Sequence, residues 1–343
     1  MRILVLTDHA THGKGESIYP LLRTMAAQRP RAELMVASRV HQAGSTFFDV
    51  GGASGLSARQ LDEHFCYDEH GRWFEKQTSS VDARDFDLIF LRIDRDKQRD
   101  ESGVETVVSP EPWLLDIRER LPDVPMLNEP KGILSTGSKR FLEEFRHLCP
   151  PLRMCESIQD VQEFLAEHGE IVVKPLHGWG GKGLIRLARD RGMLERTERQ
   201  YQHLLSMIDA HIARDGSVLA VKFLNRVSEG DKRVIVVNGE VVGATLRLPA
   251  RGSWLCNLSA GGSSRPSEAD ALEREIAVEI AEKMNGKGVP LFGFDTLVSS
   301  TGKRLLSEIN TLNVGGLIQA ETGRDGSVVK RAARQIWSYI DGQ

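Results

Sequence analysis

The chain has 343 residues, 40% of them hydrophobic and 27% charged, a length that suggests two or three domains at roughly 100 to 200 residues each. Lys and Arg number 45 against 48 Asp and Glu, a formal charge of −3. That balance lacks the concentrated basic surface that sequence-independent binding of DNA or RNA needs. The polar content argues against disorder and against a membrane protein, and no run of about 18 apolar residues occurs.

The apolar run near Met1 spans only four residues, Ile3 to Leu6, short for a secretory signal, so a cytoplasmic location is expected. Cys66, Cys149, Cys155 and Cys256 are scattered without a CxxC pair, which indicates neither a zinc site nor a disulfide framework. Glycine is in excess and unevenly spread, with 11 in residues 1–171 and 21 in residues 172–343. The second half therefore contains backbone that must turn tightly or approach something closely.

Arg2 to Thr7 reads as a strand, followed by a polar loop containing His9 and His12 and a periodic helix from Ile18 to Ala27. Glu33 to Ala37 and Asp87 to Arg92 are further strands, the latter apolar on both faces as in a parallel sheet. These make residues 1–125 a small α/β domain, with 44–81 too rich in Gly, Ser and charge to assign. Helical patterns follow at Lys139–Leu148, Ile158–Glu167 and Leu194–Ala213, with a strand at Ile171–Pro175.

Strands are then expected at Val218–Leu224, Arg233–Val237 and Val241–Leu248, the last two joined at Asn238 and Gly239, a strong two-residue hairpin signal. A helix at Leu272–Lys283 precedes a second hairpin, Phe292–Ser299 and Arg304–Ile309. Helices alternating with antiparallel hairpins describe an α+β body, divided here as residues 126–215 and 216–343.

Four segments could carry chemistry. Lys174 is followed by Gly178, Trp179, Gly180, Gly181, Lys182 and Gly183, between two strands. Such a loop can close its N–H groups on phosphate oxygens while Lys174 supplies charge. It equally fits a plain hairpin turn. Neither better-known glycine motif applies, because Gly183 follows Lys182 and no helix follows the loop.

Asp295, Glu308 and Asn310 lie on the arms of the last hairpin, with Glu308 and Asn310 two apart and on one face. Two carboxylates and an amide oxygen suit Mg²⁺; the alternative is a solvated strand face. Asp231 and Arg233 lead into one strand, and Arg247 ends its partner, so the arginines could meet and stabilise phosphoryl charge. A charged turn is the alternative. The loop from Asn257 to Gly261 and Gly262 could cover a substrate or lie idle. His9 and His12 lack a third partner for a metal, which leaves substrate contact or solvation.

In this order, the segments resemble the ATP-grasp ligases, most closely the bacterial glutathione synthetase family, from about Asn128 to Leu317. The resemblance implies an N-terminal Rossmann-like domain followed by an α+β ATP-grasp fold. It also implies an ATP-dependent carboxylate–amine ligase, with γ-glutamylcysteine and glycine as substrates. Lys139 and Lys174 would hold phosphates, the backbone of Lys222, Phe223 and Leu224 the adenine, and Asp231 the ribose.

Arg233 and Arg247 would face the transferring phosphoryl group, and Asp295, Glu308 and Asn310 would hold Mg²⁺ or alternatively Mn²⁺. Arg92, Asn257, Gly261, Gly262, Gly315 and Gly316 fall where the family contacts substrate. The segments around Arg92 and from Thr311 to Gly316 depart from the family pattern, so other amino acids or short peptides are the alternative substrates. A catalytically silent ATP-binding protein is the third reading. Small-molecule partners and a homo-oligomer are expected.

Overall fold

The computed structural model describes residues 1–42, 44–93, 96–99, 105–108, 111–177, 181–188, 195–257, 261–323 and 326–343. β1 (Arg2–Thr7), α1 (Ile18–Gln28) and β2 (Glu33–Ser38) fall within one residue of the sequence expectation. Beyond β2, the stretch that sequence reasoning leaves unassigned builds β3 (Gly55–Gln60), α2 (Arg72–Glu75) and β4 (Ser79–Asp82). Its strands are short and polar, and they take their order from pairing onto the β2 edge rather than from an apolar face of their own.

β5 (Leu88–Arg92) is buried along its whole length; β6 (Asp96–Arg99), β7 (Glu105–Val108), α3 (Glu111–Arg120) and β8 (Met126–Leu127) follow. The sheet order is β4-β3-β2-β1-β5-β8. Strands β2, β1, β5 and β8 run parallel, while β3 and β4 extend the edge antiparallel, a departure from an all-parallel sheet. The C-terminal ends of β1 and β5 point one way, which places Asp8, His9 and Arg92 on a common edge.

After α4 (Pro130–Thr136), the helix expected from Lys139 to Leu148 is a 3-10 segment over Lys139–Phe145. The cause is pinning at both ends: the Lys139 N–H donates to Leu176 O, and Leu148 O accepts from Leu306 N. β9 (Leu152–Cys155), α5 (Ile158–His168), β10 (Glu170–Pro175), β11 (Ile185–Ala188), α6 (Glu195–Asp215) and β12 (Val218–Lys222) complete an antiparallel sheet ordered β11-β10-β12-β9. Ser157 and Asp160 form a capping box that starts α5.

The third sheet is β15-β14-β13-β16-β17. It is built from β13 (Asp231–Val237), β14 (Glu240–Leu248), β15 (Ser263–Ser267), α7 (Ala271–Met284), β16 (Leu291–Val298) and β17 (Arg304–Asn310), with α8 (Ser327–Asp341) behind it. Asn238 and Gly239 have φ of 51° and 77°, the two left-handed residues that a tight β13–β14 turn requires.

Alternation along β13 divides its faces. Val234 and Val236 join the core under α7, whereas Ile235 and Val237 meet α8, so Asp231 and Arg233 continue the second face beyond the α8 contact. Sequence reasoning missed α8, although its apolar residues recur at helical spacing. Trp337 of α8 donates its indole N–H to Met25 O at 3.2 Å, and Arg29 lies over its ring, so α8 ties α1 to the third sheet. Burying a side chain such as Ile336 there contributes about 1.5–3 kcal/mol. Among the described residues no helix is long and apolar enough to cross a membrane.

Candidate nucleotide and ligation site

A cleft with an empty volume of about 840 Å³ lies between the second and third sheets. Val172, Leu184, Val221 and Leu297 give it apolar walls, and Lys139, Lys174, Lys182, Lys222, Asp231, Arg247, Asp295 and Glu308 supply charge. An apolar slot ending in convergent cations suits a planar base joined to phosphates.

Lys174 reaches the cleft from the end of β10, buried, with its Nζ donating to Ser307 O at 2.9 Å. Lys139 is also buried and lines the same space. Where Lys222, Phe223 and Leu224 leave β12, the amides of Lys222 and Phe223 donate to Pro151 O and Glu170 O. The Leu224 N–H makes no hydrogen bond among the described residues. The Leu224 N–H is thus a backbone donor at the cleft wall without a partner among the described residues. Phe223 carries the Arg186 guanidinium 3.9 Å above its ring and has Trp254 at its edge.

The charged floor follows from strand register. Asp231 pairs with Arg247, Arg233 with Asp295, and Asp295 with Glu308, so all five project from one face. Arg247 donates to both Asp231 oxygens at 2.7 Å and contacts Asp295 Oδ2 at 2.7 Å. Arg233 grips Asp295 from the other side, with Nη2 at 2.8 Å from Oδ2. The two arginines that the sequence suggests could meet do so on Asp295.

Burial opposes charge on Asp295, yet Arg233 and Arg247 outweigh it and hold its pKa down, to about 2. For Asp231 burial is the larger influence, followed by Arg247 acting against it, and the balance lies above the ordinary value. Burial also works against charge on Arg247, but Asp295 and Asp231 raise its pKa.

A β-bulge between Asp295 and Thr296 makes Ser307 the extra residue on β17. Its carbonyl receives Lys174, and its Oγ donates to Asp295 O at 3.2 Å. Sequence reasoning missed Ser307, whose only signal is its place beside Glu308. It also missed Trp254. Glu308 faces the cleft with no hydrogen bond or ion pair among the described residues, and the buried Asn310 Nδ2 has no partner. Among the described residues no group of three or more His, Cys, Asp or Glu is arranged to hold a metal.

β10 and β11, which flank the glycine-rich segment, pair antiparallel. Gly178, Trp179 and Gly180 lie outside the described residues. Gly181 has φ of 78°, and a Cβ there would stand 2.8 Å from Asn257 Oδ1, so only glycine lets the turn lie on the Asn257 loop. Asn257 lines the cleft; Gly261 and Gly262 follow at the start of β15, beyond the lining residues.

Arg92, Gly315 and Gly316 also lie outside that lining. Arg92 is 2% exposed and donates to Val314 O at 3.2 Å, while Gly316 lies beside Arg233 Cγ. Gly316 and Val314 bring this loop against the Arg233 side chain. His12 lies nearby, with Nε2 2.8 Å from Thr7 Oγ1 and Nδ1 2.8 Å from Tyr19 Oη. Burial, with His9 and Arg92 adding, pushes its pKa down to about 3. It is a neutral imidazole with both nitrogens engaged.

Comparison with known proteins agrees with this geometry. A profile described as "Prokaryotic glutathione synthetase, ATP-grasp domain" matches residues 138–324. The chain is 31% identical to a glutathione synthetase of Prochlorococcus marinus subsp. pastoris over 77% of this chain and 79% of that protein. It is 28% identical to one from Rhodopseudomonas palustris over 96% and 94%. In fold it is similar to the D-cycloserine synthetase DcsG, with a TM-score of 0.63 over 99% of this chain and 100% of that one, at 16% identity. With an N-terminal α/β layer leading into a cleft between two antiparallel sheets, and with these relatives, the chain belongs to the prokaryotic glutathione synthetase family of ATP-grasp enzymes, ATP-dependent ligases that form amide bonds.

Proposed function

We propose that the chain joins the cysteinyl carboxylate of γ-glutamylcysteine to glycine. The observation that carries this reading is the convergence of Lys139, Lys174, Asp231, Arg247, Asp295 and Glu308, from separate segments, on one cleft. A carboxylate is a poor electrophile at neutral pH. Its oxygen attacks the γ-phosphorus of ATP, the bond to the ADP oxygen breaks, and an acylphosphate forms. The glycine amine then attacks the acyl carbon, inorganic phosphate leaves with the C–O electron pair, and the amine proton passes to solvent or phosphate.

Lys139 and Lys174 hold the phosphates, with the Lys174 Nζ exchanging Ser307 O for a phosphate oxygen. Arg233 and Arg247, preset on Asp295, meet the transferring phosphoryl group and the donor carboxylate without reorganisation during reaction. A ribose role for Asp231 requires one of its oxygens to leave Arg247; otherwise it acts by orienting that arginine.

The donor set fits a hard divalent cation, because among the described residues Glu308 is unengaged by protein and Asn310 has an unsatisfied buried amide. Glu308 and Asn310, with Asp295, would hold Mg²⁺ or Mn²⁺, which supplies neutralisation of phosphate charge when bound. The Gly181 turn and Asn257, which lie against each other at the cleft, would shield the acylphosphate from water.

ADP release with γ-glutamylcysteine, glycine, ATP and Mg²⁺, with the peptide product weighed by mass spectrometry, tests the reading. Absence of product with these substrates, alongside product from other donors or amines, transfers the reading to another peptide ligase. The departure at Thr311 to Gly316 is the observation that favours that second reading. Lys174→Ala should weaken ATP binding by on the order of 10- to 100-fold, as expected for one lost charge-assisted contact. Unchanged affinity by calorimetry would remove Lys174 from the phosphate site.

A further inference from the structure

One face of the third sheet is the floor of the cleft; its other face carries a polar cluster that the proposed reaction does not use. Lys232 stands between Asp231 and Arg233 on β13, and Thr296 follows Asp295 on β16. By alternation both point away from the cleft, and the two are cross-strand partners. There they meet Glu273 of α7, which is 0% exposed. Lys232 Nζ donates to Glu273 Oε2 at 2.6 Å and to Glu268 O at 3.0 Å, and Thr296 Oγ1 donates to Glu273 Oε1 at 2.6 Å. Thr296 is held a second time: its carbonyl accepts from Arg304 Nη1 at 3.1 Å, and Arg304 Nε stands 3.9 Å from Glu273 Oε1. Glu273 Oε2 also accepts the Asp270 N–H that opens α7.

The rest of the core under α7 is apolar, with Val234, Ile276, Ala277, Phe294 and Leu306 buried. A buried ion pair is a poor source of stability there, because desolvation of both charges offsets their attraction. Apolar side chains of similar volume often serve the fold as well or better. What the pair adds is direction, since its hydrogen bonds are satisfied in one strand register, whereas apolar contacts tolerate a slip.

That register has a consequence in the cleft. The bulge between Asp295 and Thr296 leaves Ser307 unpaired, so Thr296 faces Leu306 while Asp295 faces Glu308. Without the bulge Ser307 would oppose Asp295, and Glu308 would oppose Phe294, which turns the Glu308 side chain into the core. Ser307 O, which receives Lys174 Nζ, would move as well. Thr296 forms the last regular pair before the bulge, and it is the residue that Glu273 and Arg304 hold.

We propose that Glu273 is a positioning residue of the ligase, pinning through Thr296 and Lys232 the bulge that brings Asp295 and Glu308 to one face. It touches neither nucleotide nor substrate. Its effect reaches the reaction through the sheet, and the fold does not need its charge. The inference rests on the ligase reading above, in which those carboxylates and Lys174 serve the cation and the phosphates.

The test replaces the cluster in the full chain by apolar residues of similar size, Lys232→Met, Glu273→Leu and Thr296→Val together. The triple variant should melt within about 5 °C of the wild type or above it. Its kcat for ADP release with γ-glutamylcysteine, glycine and Mg²⁺ should fall by on the order of 10- to 100-fold, as for reacting groups displaced by about 1 Å. Lys232→Met with Glu273→Gln keeps a neutral hydrogen bond to Thr296 and the start of α7, and should restore most of the lost rate. Wild-type kcat in the triple variant overturns the assignment. If the triple variant does not fold, Thr296→Val alone decides: it deletes one hydroxyl, should lower kcat by about tenfold, and overturns the assignment if kcat is unchanged. If the wild type releases no ADP with these substrates, the substrate reading fails by itself and hydrogen exchange decides the role of Glu273. Amides of residues 293–310 should then exchange faster in the triple variant than in the wild type, with those of β1 and β2 unchanged, and equal exchange across 293–310 overturns the assignment.

Discussion

Replacing Glu308 by alanine is expected to lower the rate of ADP release by on the order of 10²–10³-fold, the size of effect seen when one preset electrostatic contact to a transition state is removed. The fold should survive. Glu308 is partly exposed and makes no hydrogen bond or ion pair among the described residues, so its loss leaves no buried partner stranded. Substitutions of that kind usually change stability by within about 0.5 kcal/mol. The two readouts separate a metal ligand from a structural acid. Activity should fall with melting temperature nearly constant, and the Mg²⁺ concentration for half-maximal rate should rise in Glu308→Asp or Glu308→Gln. Wild-type turnover in Glu308→Ala would remove this carboxylate from the metal site.

The parts of this site that are legible in the sequence are those set by periodicity and turn chemistry. The Asn238–Gly239 turn sets the pairing of Val237 with Glu240, but the meeting of Asp231 and Arg247 also needs the register shift between Ile235 and Val236, without which Asp231 would face Leu246. The two-residue spacing of Glu308 and Asn310 follows from strand geometry alone. Ser307 was not legible, because a bulge has no composition of its own and arises from the pairing of β16 with β17. Nor was β3 or β4, whose order comes from an edge supplied by β2. The surroundings of Arg92 were half legible: the residue stood out, but its partners Glu16 and Val314 lie 76 and 222 positions away. Helix α8 is a different failure, since its pattern was present in the sequence and went unread.

The same ladder explains why the arginines must be tested for stability as well as rate. Arg247→Met removes the guanidinium that serves Asp231 and shares Asp295 with Arg233; Arg247 and Asp295 are buried, and Asp231 and Arg233 are half-buried. Breaking a buried pair by deleting one member costs about 3–5 kcal/mol, because the remaining charge stays desolvated. The pH dependence should identify which charge is stranded. In the wild type Asp295 has its pKa lowered from 3.8 to about 2, so the stability it contributes is present above the ordinary value and lost as pH falls towards 2.

Asp231 behaves in the opposite sense. Burial already raises its pKa, and loss of Arg247 raises it further, so its carboxyl is tolerated below the ordinary value and destabilises as pH rises through the raised one. Urea denaturation of Arg247→Met should therefore show a deficit that is smaller near about pH 4 and larger near about pH 7. Adding Asp231→Asn should recover much of that deficit at neutral pH by removing the stranded charge, while turnover stays low because no guanidinium faces the phosphoryl group. A deficit independent of pH would show that Arg247 acts through packing. Recovery of turnover in the double variant would show that its role in the reaction is confined to holding Asp231.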